Sequence, residues 1–187
     1  MGLTVETAHR RFTTDEVLRM VDAGIIEPDE PLELLEGELV VVTPQGPPHS
    51  SRIMALQDFL ADAYRGSGAL RVQLPLDASP DGLPEPDLAV VRGSAADYAE
   101  HHPVGADVIL AVEVARTSQD TDRKKARTYA RIGIPVYWLL DLTARRLEVS
   151  TQPLSEGRYA RTALFGPAET VELPLLGRVV SVAQLLP

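Results

Sequence analysis

Residues 108–114 read Val-Ile-Leu-Ala-Val-Glu-Val, an apolar run broken by one carboxylate. A run of that kind predicts a strand covered on both faces, and therefore the middle of a sheet. The stretch 118–132 opens with Ser, Asp and Thr, carries Ala126, Tyr129 and Ala130 on one side, and stops at Gly133 before Pro135. These are helix start and stop signals. Residues 136–140 are apolar again, so strand, helix and strand follow in order and predict a parallel crossover. That unit restricts the chain to an α/β class with helices packed on a mixed sheet.

The remaining elements fall around this unit. Thr13 and Glu16 have capping-box spacing ahead of Val17, Leu18 and Val21, which predicts a short helix up to Gly24. Residues 32–42 predict a hairpin turning near Gly37, closed off by the prolines between 44 and 48. Apolar residues at 53, 56, 59, 60, 63 and 64 predict an amphipathic helix over 49–65, ended by Gly66 and Gly68. Alternation predicts a strand at 70–76, a Pro/Gly-rich loop follows, and 87–91 forms another strand. Short strands are expected at 146–151, 158–165 and 171–173. No repeat, linker or low-complexity segment divides the 187 residues. The expectation is one domain, with an N-terminal extension over 1–31, a core over 32–142 and a C-terminal β segment over 143–187.

Composition removes several chemistries. With no cysteine, thiolate nucleophiles, disulfides, zinc ribbons and iron–sulfur clusters are excluded. Neither a signal peptide nor a run of about 18 uncharged apolar residues is present, so a cytoplasmic, non-membrane location is expected. Acidic residues outnumber basic ones 27 to 18, which argues against a protein that binds polyanions mainly by neutralising phosphates. The only two lysines are adjacent, Lys124 and Lys125. An arginine-rich, lysine-poor composition is either genome bias or a sign that arginine has replaced lysine wherever both would serve, in which case these two mark places that need the compact, titratable ammonium.

Glu113 is the first chemical anomaly, since a carboxylate within a buried strand requires compensation. It either sits half exposed at the strand end, capping the next helix or pairing with an arginine, or it serves as a metal ligand or acid/base group. Asp87, opening the preceding strand after Pro86, could converge with it. Two carboxylates at neighbouring strand ends with backbone carbonyls nearby make an oxygen-rich site suited to Mg²⁺ or Mn²⁺. Lys125 lies one helical turn before Tyr129 and could reach back to the strand end; the alternative is a solvated face. Between residues 116 and 131, six basic residues face only Asp120 and Asp122. Arg116, Arg123, Lys124 and Arg127 are thus candidate nucleic-acid contacts in an otherwise acidic chain.

Pro86-Asp87 followed by Glu113-Val114-Ala115, in a strand–strand–helix context, resembles the PD-(D/E)XK nuclease superfamily. More closely, the chain resembles a widespread bacterial family of restriction-endonuclease-like proteins known as domain-of-unknown-function family 820. The similarity runs from about Leu32 to Leu142 through GELVVVTPQGPPH (37–49), VQLPL (72–76), PEPDLAVV (84–91) and residues 109–141. One departure is Ala115, which stands where the superfamily places its lysine. In this bacterial family the lysine has moved to the next helix, before the tyrosine, where Lys125 stands.

The resemblance implies a restriction-endonuclease-like fold and hydrolysis of DNA phosphodiester bonds. Asp87 and Glu113 would hold one or two Mg²⁺ or Mn²⁺ ions, and Lys125 would position water or neutralise charge. Glu38, His49 and Gln73 match as well. Glu38 could support a metal or be solvated on the hairpin; His49 could contact phosphate, orient the site or cap a helix. Gln73, expected on the strand beside Asp87, could orient water or satisfy backbone groups. A homodimer would suit double-strand cleavage. The competing readings are a non-catalytic nuclease-fold module that binds a protein or nucleic acid, and a hydrolase of small phosphate esters. His101-His102 lacks metal-ligand spacing, and Gly-x-Ser-x-Gly and Gly-rich phosphate loops are absent.

Overall fold

The computed structural model describes residues 9–27, 29–42, 46–115 and 119–186. Helix α1 (Thr14–Asp22) starts where the capping box predicts. The Glu16 amide donates to Thr13 Oγ1 at 3.2 Å, and Glu16 Oε2 accepts from the Thr13 amide at 3.0 Å. Strands β1 (Leu32–Leu35) and β2 (Glu38–Val41) form the expected antiparallel hairpin. Its turn places Glu36 and Gly37 at φ 51° and 79°, the left-handed pair that a tight two-residue hairpin requires. α1 and the hairpin share a small core of Val17, Ile26 and Leu34.

Helix α2 (Pro47–Ala63) begins with two prolines, whose fixed φ and missing N–H suit the first helical turn. Strands β3 (Ala69–Val72), β4 (Leu88–Val91) and β5 (Val108–Ala115) follow, then helix α3 (Gln119–Arg131) and strand β6 (Val136–Asp141). β7 (Arg146–Leu154) and β8 (Arg158–Phe165) complete a six-stranded sheet in the order β3-β4-β5-β6-β7-β8. Only the β5–β6 pair is parallel, as the crossover predicts; the other neighbours are antiparallel. The first strands after 143 extend the main sheet, because β7 pairs onto β6 and β8 onto β7. β9 (Thr170–Leu173) and β10 (Arg178–Ser181) form a second hairpin, and a short helix α4 (Val182–Leu185) closes the described chain.

All eight residues of β5 are buried, as a central strand demands. Its side chains alternate between two cores. Leu110, Val112 and Val114 pack with α2 through Ile53, Leu56 and Leu60, and with Val171, Leu173 and Leu185 of the C-terminal elements. Ala111 and Ala115 pack on the other face with Tyr129 and Tyr137. Burying one such large apolar side chain contributes about 1.5–3 kcal/mol, which fixes α2 and α3 on opposite faces of the sheet. Glu113 belongs to the α3 face.

One predicted strand is shorter than its pattern. β3 stops at Val72, because Gln73 takes a left-handed backbone at φ 49° and Pro75 follows. Alternation alone does not reveal that turn. β10 and α4 are absent from the sequence expectation; both are too short to carry a periodic signal.

Candidate active site

The antiparallel ladder between β4 and β5 has its last pair at Leu88 and Val112. Beyond it, β5 continues alone on that edge, and Asp87 takes the place of the missing strand. Its Oδ2 accepts the Val114 amide at 2.8 Å, while the Asp87 amide points to Glu113 Oε2 at 3.4 Å. Asp87 is thus tied across the strands twice, by its backbone to the Glu113 side chain and by its side chain to the Val114 backbone. Both are buried, at 6% and 2% exposure.

Lys125 comes to the same point from α3. Its Nζ lies 3.3 Å from Glu113 Oε1 and 2.9 Å from Glu33 Oε1, and it donates to the Glu85 carbonyl at 2.8 Å. Glu33, on β1, also accepts the Glu85 amide at 3.2 Å. Tyr129, one turn further along α3, donates its hydroxyl to Glu113 Oε1 at 2.6 Å. Glu33 and Tyr129 are site residues that the sequence reading did not name as such. The signal for Tyr129 was its place one turn after Lys125. Glu33 carried none, since an acid in Leu-Glu-Leu-Leu reads the same on a solvated hairpin.

Electrostatics separate the two central carboxylates. Burial drives the Glu113 carboxyl well above the ordinary range; Lys125 opposes this, but the charges of Asp87, Glu33 and Asp122 reinforce it. Burial also acts to raise Asp87, yet the His49 and Val114 hydrogen bonds outweigh it and hold the group below its ordinary value. For Lys125, burial favours the neutral amine but Glu113 and Glu33 reverse the direction, so the ammonium stays charged. Tyr129 is pushed well up by burial and the neighbouring carboxylates, and remains a donor.

His49, in the first turn of α2, places Nε2 3.3 Å from Asp87 Oδ2. Its side chain is 12% exposed. Glu38, by contrast, is half exposed and turns to Lys124 at 3.4 Å and Arg11 at 3.7 Å. Gln73 lies outside β3, exposed, with its amide donating to the Asp87 carbonyl at 3.2 Å. It is a turn residue beside the site, in contrast to the expected strand position. Arg116 lies outside the described residues, as does the side chain of Arg123.

The basic surface expected on α3 is largely matched by acids. Arg127 binds Glu36 through two nitrogens at 2.9 and 3.1 Å, Arg131 binds Asp81 at 2.8 Å, and Lys124 faces Glu38. Local charge counting along the chain misses these partners because they come from the hairpin and the 79–86 loop.

The donor set suits a hard divalent cation. Glu33, Asp87, Glu113 and Asp122 are buried acids, and Lys125 is the one buried lysine of the chain. Burial, reinforced by the charges of Asp87, Glu33 and Asp122, raises the Glu113 carboxyl against the pull of Lys125. Among the described residues, no three His, Asp or Glu side chains are grouped so that they could hold a metal ion by themselves. An ion here would draw on carboxylates, backbone carbonyl and water together, which is how Mg²⁺ is commonly held.

No helix among the described residues is long and apolar enough to cross a membrane. No curated protein matches the chain. A crystal structure from Anabaena variabilis, described as a putative nuclease belonging to DUF820, shares the fold at a TM-score of 0.74. The match has 20% identity and covers 93% of this chain and 97% of that one. The family profile Uma2, described as "Putative restriction endonuclease", matches residues 14–183. With nearly its whole length matched and a mixed sheet flanked by helices like that of its solved relative, the chain belongs to the Uma2 family of nuclease-like proteins.

Proposed function

We propose that this protein is a divalent-metal-dependent nuclease that hydrolyses phosphodiester bonds of DNA. The observation that carries the reading is the convergence of Asp87 and Glu113 at adjoining strand positions with Lys125 against Glu113. Asp87 and Glu113 would hold Mg²⁺ or Mn²⁺, with a carbonyl of β5 as a further oxygen donor. The bound ion would polarise the scissile phosphate, lower the pKa of the attacking water and stabilise the departing oxygen. Lys125, charged throughout the neutral range, acts as a donor that orients water or neutralises a phosphate oxygen; it is not the base. Tyr129 and Glu33 hold that ammonium and the Glu113 carboxylate in place. In the hydrolysis, a water oxygen forms the new P–O bond, its proton passes to solvent, and the leaving oxygen takes up a proton as its P–O bond breaks.

The test is thermal unfolding with and without Mg²⁺ or Mn²⁺, run beside nicking of supercoiled plasmid, for the parent and Glu113→Gln. A ligand that binds only the folded state raises Tm even where turnover is slow. Stabilisation and nicking in the parent, both lost in Glu113→Gln, support the proposal. Neither effect in the parent overturns it in favour of a non-catalytic binding module. Stabilisation with cleavage of a chromogenic phosphodiester, but no plasmid nicking, overturns DNA as the substrate.

A further inference from the structure

On the α3 face of the sheet, the row that holds Glu113 continues through Leu139 of β6 to Glu148 of β7. Strands lie about 4.8 Å apart, so Glu148 stands about 10 Å from Glu113 across the sheet. Here α3 does not close down on the strands: a cavity of about 290 Å³ remains between the helix and the β7–β8 pair. Ala126 of α3, Ser150 of β7 and Gly157 of the β7–β8 turn line it with small side chains, where a packed interior would be filled. Gly157, at φ 80°, brings that turn against α3, and an added Cβ would lie 3.3 Å from the Arg127 carbonyl oxygen. Tyr137 and Tyr159 form an aromatic wall, their ring centroids 6.2 Å apart and their planes 17° from parallel. Buried Asp122 and half-buried Glu148 bring carboxylates, Ser150 and Thr162 bring hydroxyls, and exposed Arg158 brings a guanidinium.

A flat aromatic wall beside mixed donors and acceptors matches a nucleobase, whose faces stack and whose edges hydrogen-bond. Charge favours the same occupant. The chain carries a net charge of −9, and Lys124, Arg127 and Arg131 of α3 already face acids, so phosphate neutralisation adds little affinity. Inside a duplex, base faces are stacked and base edges paired, so the cavity is open only to a nucleotide that has left the helix.

We propose that the cavity between α3 and the β7–β8 pair is a nucleobase subsite, and that the substrate is a DNA strand with an unpaired nucleotide beside the phosphate held at Glu113. This rests on the nuclease reading above and narrows its substrate class.

Fluorescence anisotropy on the full chain tests this, with Ca²⁺ in place of Mg²⁺ and three labelled oligonucleotides of one sequence: single-stranded, duplex with a one-base bulge, and fully paired duplex. The expected result is that the single strand and the bulge bind about 10-fold or more tighter than the paired duplex. Thr162→Trp, which fills the cavity from an exposed strand position, should remove most of that preference, while Thr162→Val, which keeps the size of the side chain, should retain it. Equal affinity for paired and unpaired DNA, in a protein that nicks plasmid, overturns the inference and leaves the nuclease reading standing. A preference that Thr162→Trp leaves unchanged overturns the cavity as its source. Binding of free deoxynucleoside monophosphates as tight as that of the single strand assigns the cavity to a mononucleotide and overturns the strand. Failure to bind any of the oligonucleotides overturns the subsite, whereas the nuclease reading falls only with metal stabilisation and nicking. The parent's preference is read without any variant, so misfolding of Thr162→Trp does not blur it.

Discussion

The Lys125 ammonium lies 2.9 Å from Glu33 and 3.3 Å from Glu113, bridging the N-terminal hairpin and the central strand from a helix that belongs to neither. One buried cation thus satisfies two buried carboxylates, and each arm of the bridge depends on the other. Lys125→Met should destabilise the protein by about 3–5 kcal/mol, because both acids stay buried without their partner. Combined with Glu33→Gln in a double-mutant cycle by urea denaturation, it should show a coupling of about 1–3 kcal/mol. Additive single effects would mean that the bridge does not form in solution.

Glu113 should cost the metal-free protein stability. Its folded carboxyl lies above the ordinary value of 4.5 that the unfolded chain retains. Below that ordinary value both states are protonated; as pH rises through the interval up to the folded value, the unfolded chain releases a proton that the folded one keeps, and stability falls. Glu113→Gln should remove this decline and raise the metal-free Tm at neutral pH by about 3 °C, for about 1 kcal/mol. Thermal scans from acid to neutral pH check this; an unchanged slope would refute it.

The hairpin acids should restrain DNA binding by α3. Glu36 and Glu38 engage Arg127 and Lys124, so Glu36→Gln with Glu38→Gln frees two cations on one surface. Because these ion pairs are exposed, stability should change by less than about 1 kcal/mol. Affinity for a short duplex, followed by fluorescence anisotropy at low salt, should rise several-fold. The slope of log affinity against log salt should steepen by about 1–2. An unaltered slope would show that these side chains do not meet phosphate.

Gly37 bears the hairpin that delivers Glu33. Its φ of 79° suits glycine, and an added Cβ would stand 2.8 Å from Arg11 Cβ. Gly37→Ala should therefore lose about 1–3 kcal/mol in urea unfolding. A neutral effect would mean that the turn relaxes without cost.

The parallel crossover and the buried character of β5 were legible in the chain because each rests on a local pattern: continuous apolarity, a cap, a glycine stop. Glu113 and Lys125 stood out for the same reason, one as a charge in an apolar run and the other as half of the only lysine pair. Gln73 was misplaced because a left-handed turn leaves no trace in an alternating pattern. Glu33 was invisible because its partner arrives from α3, and Arg127 looked like a free cation because its partner Glu36 arrives from the hairpin.

By itself, then, the sequence determined which segments form strands and helices, and which polar groups must be compensated, since propensity, periodicity and burial cost act within a few residues. The tertiary structure alone decided who compensates whom. Asp87 meets Val114 only because the β4 ladder stops one pair short. Glu33 meets Lys125 only because packing folds a hairpin onto a helix far along the chain.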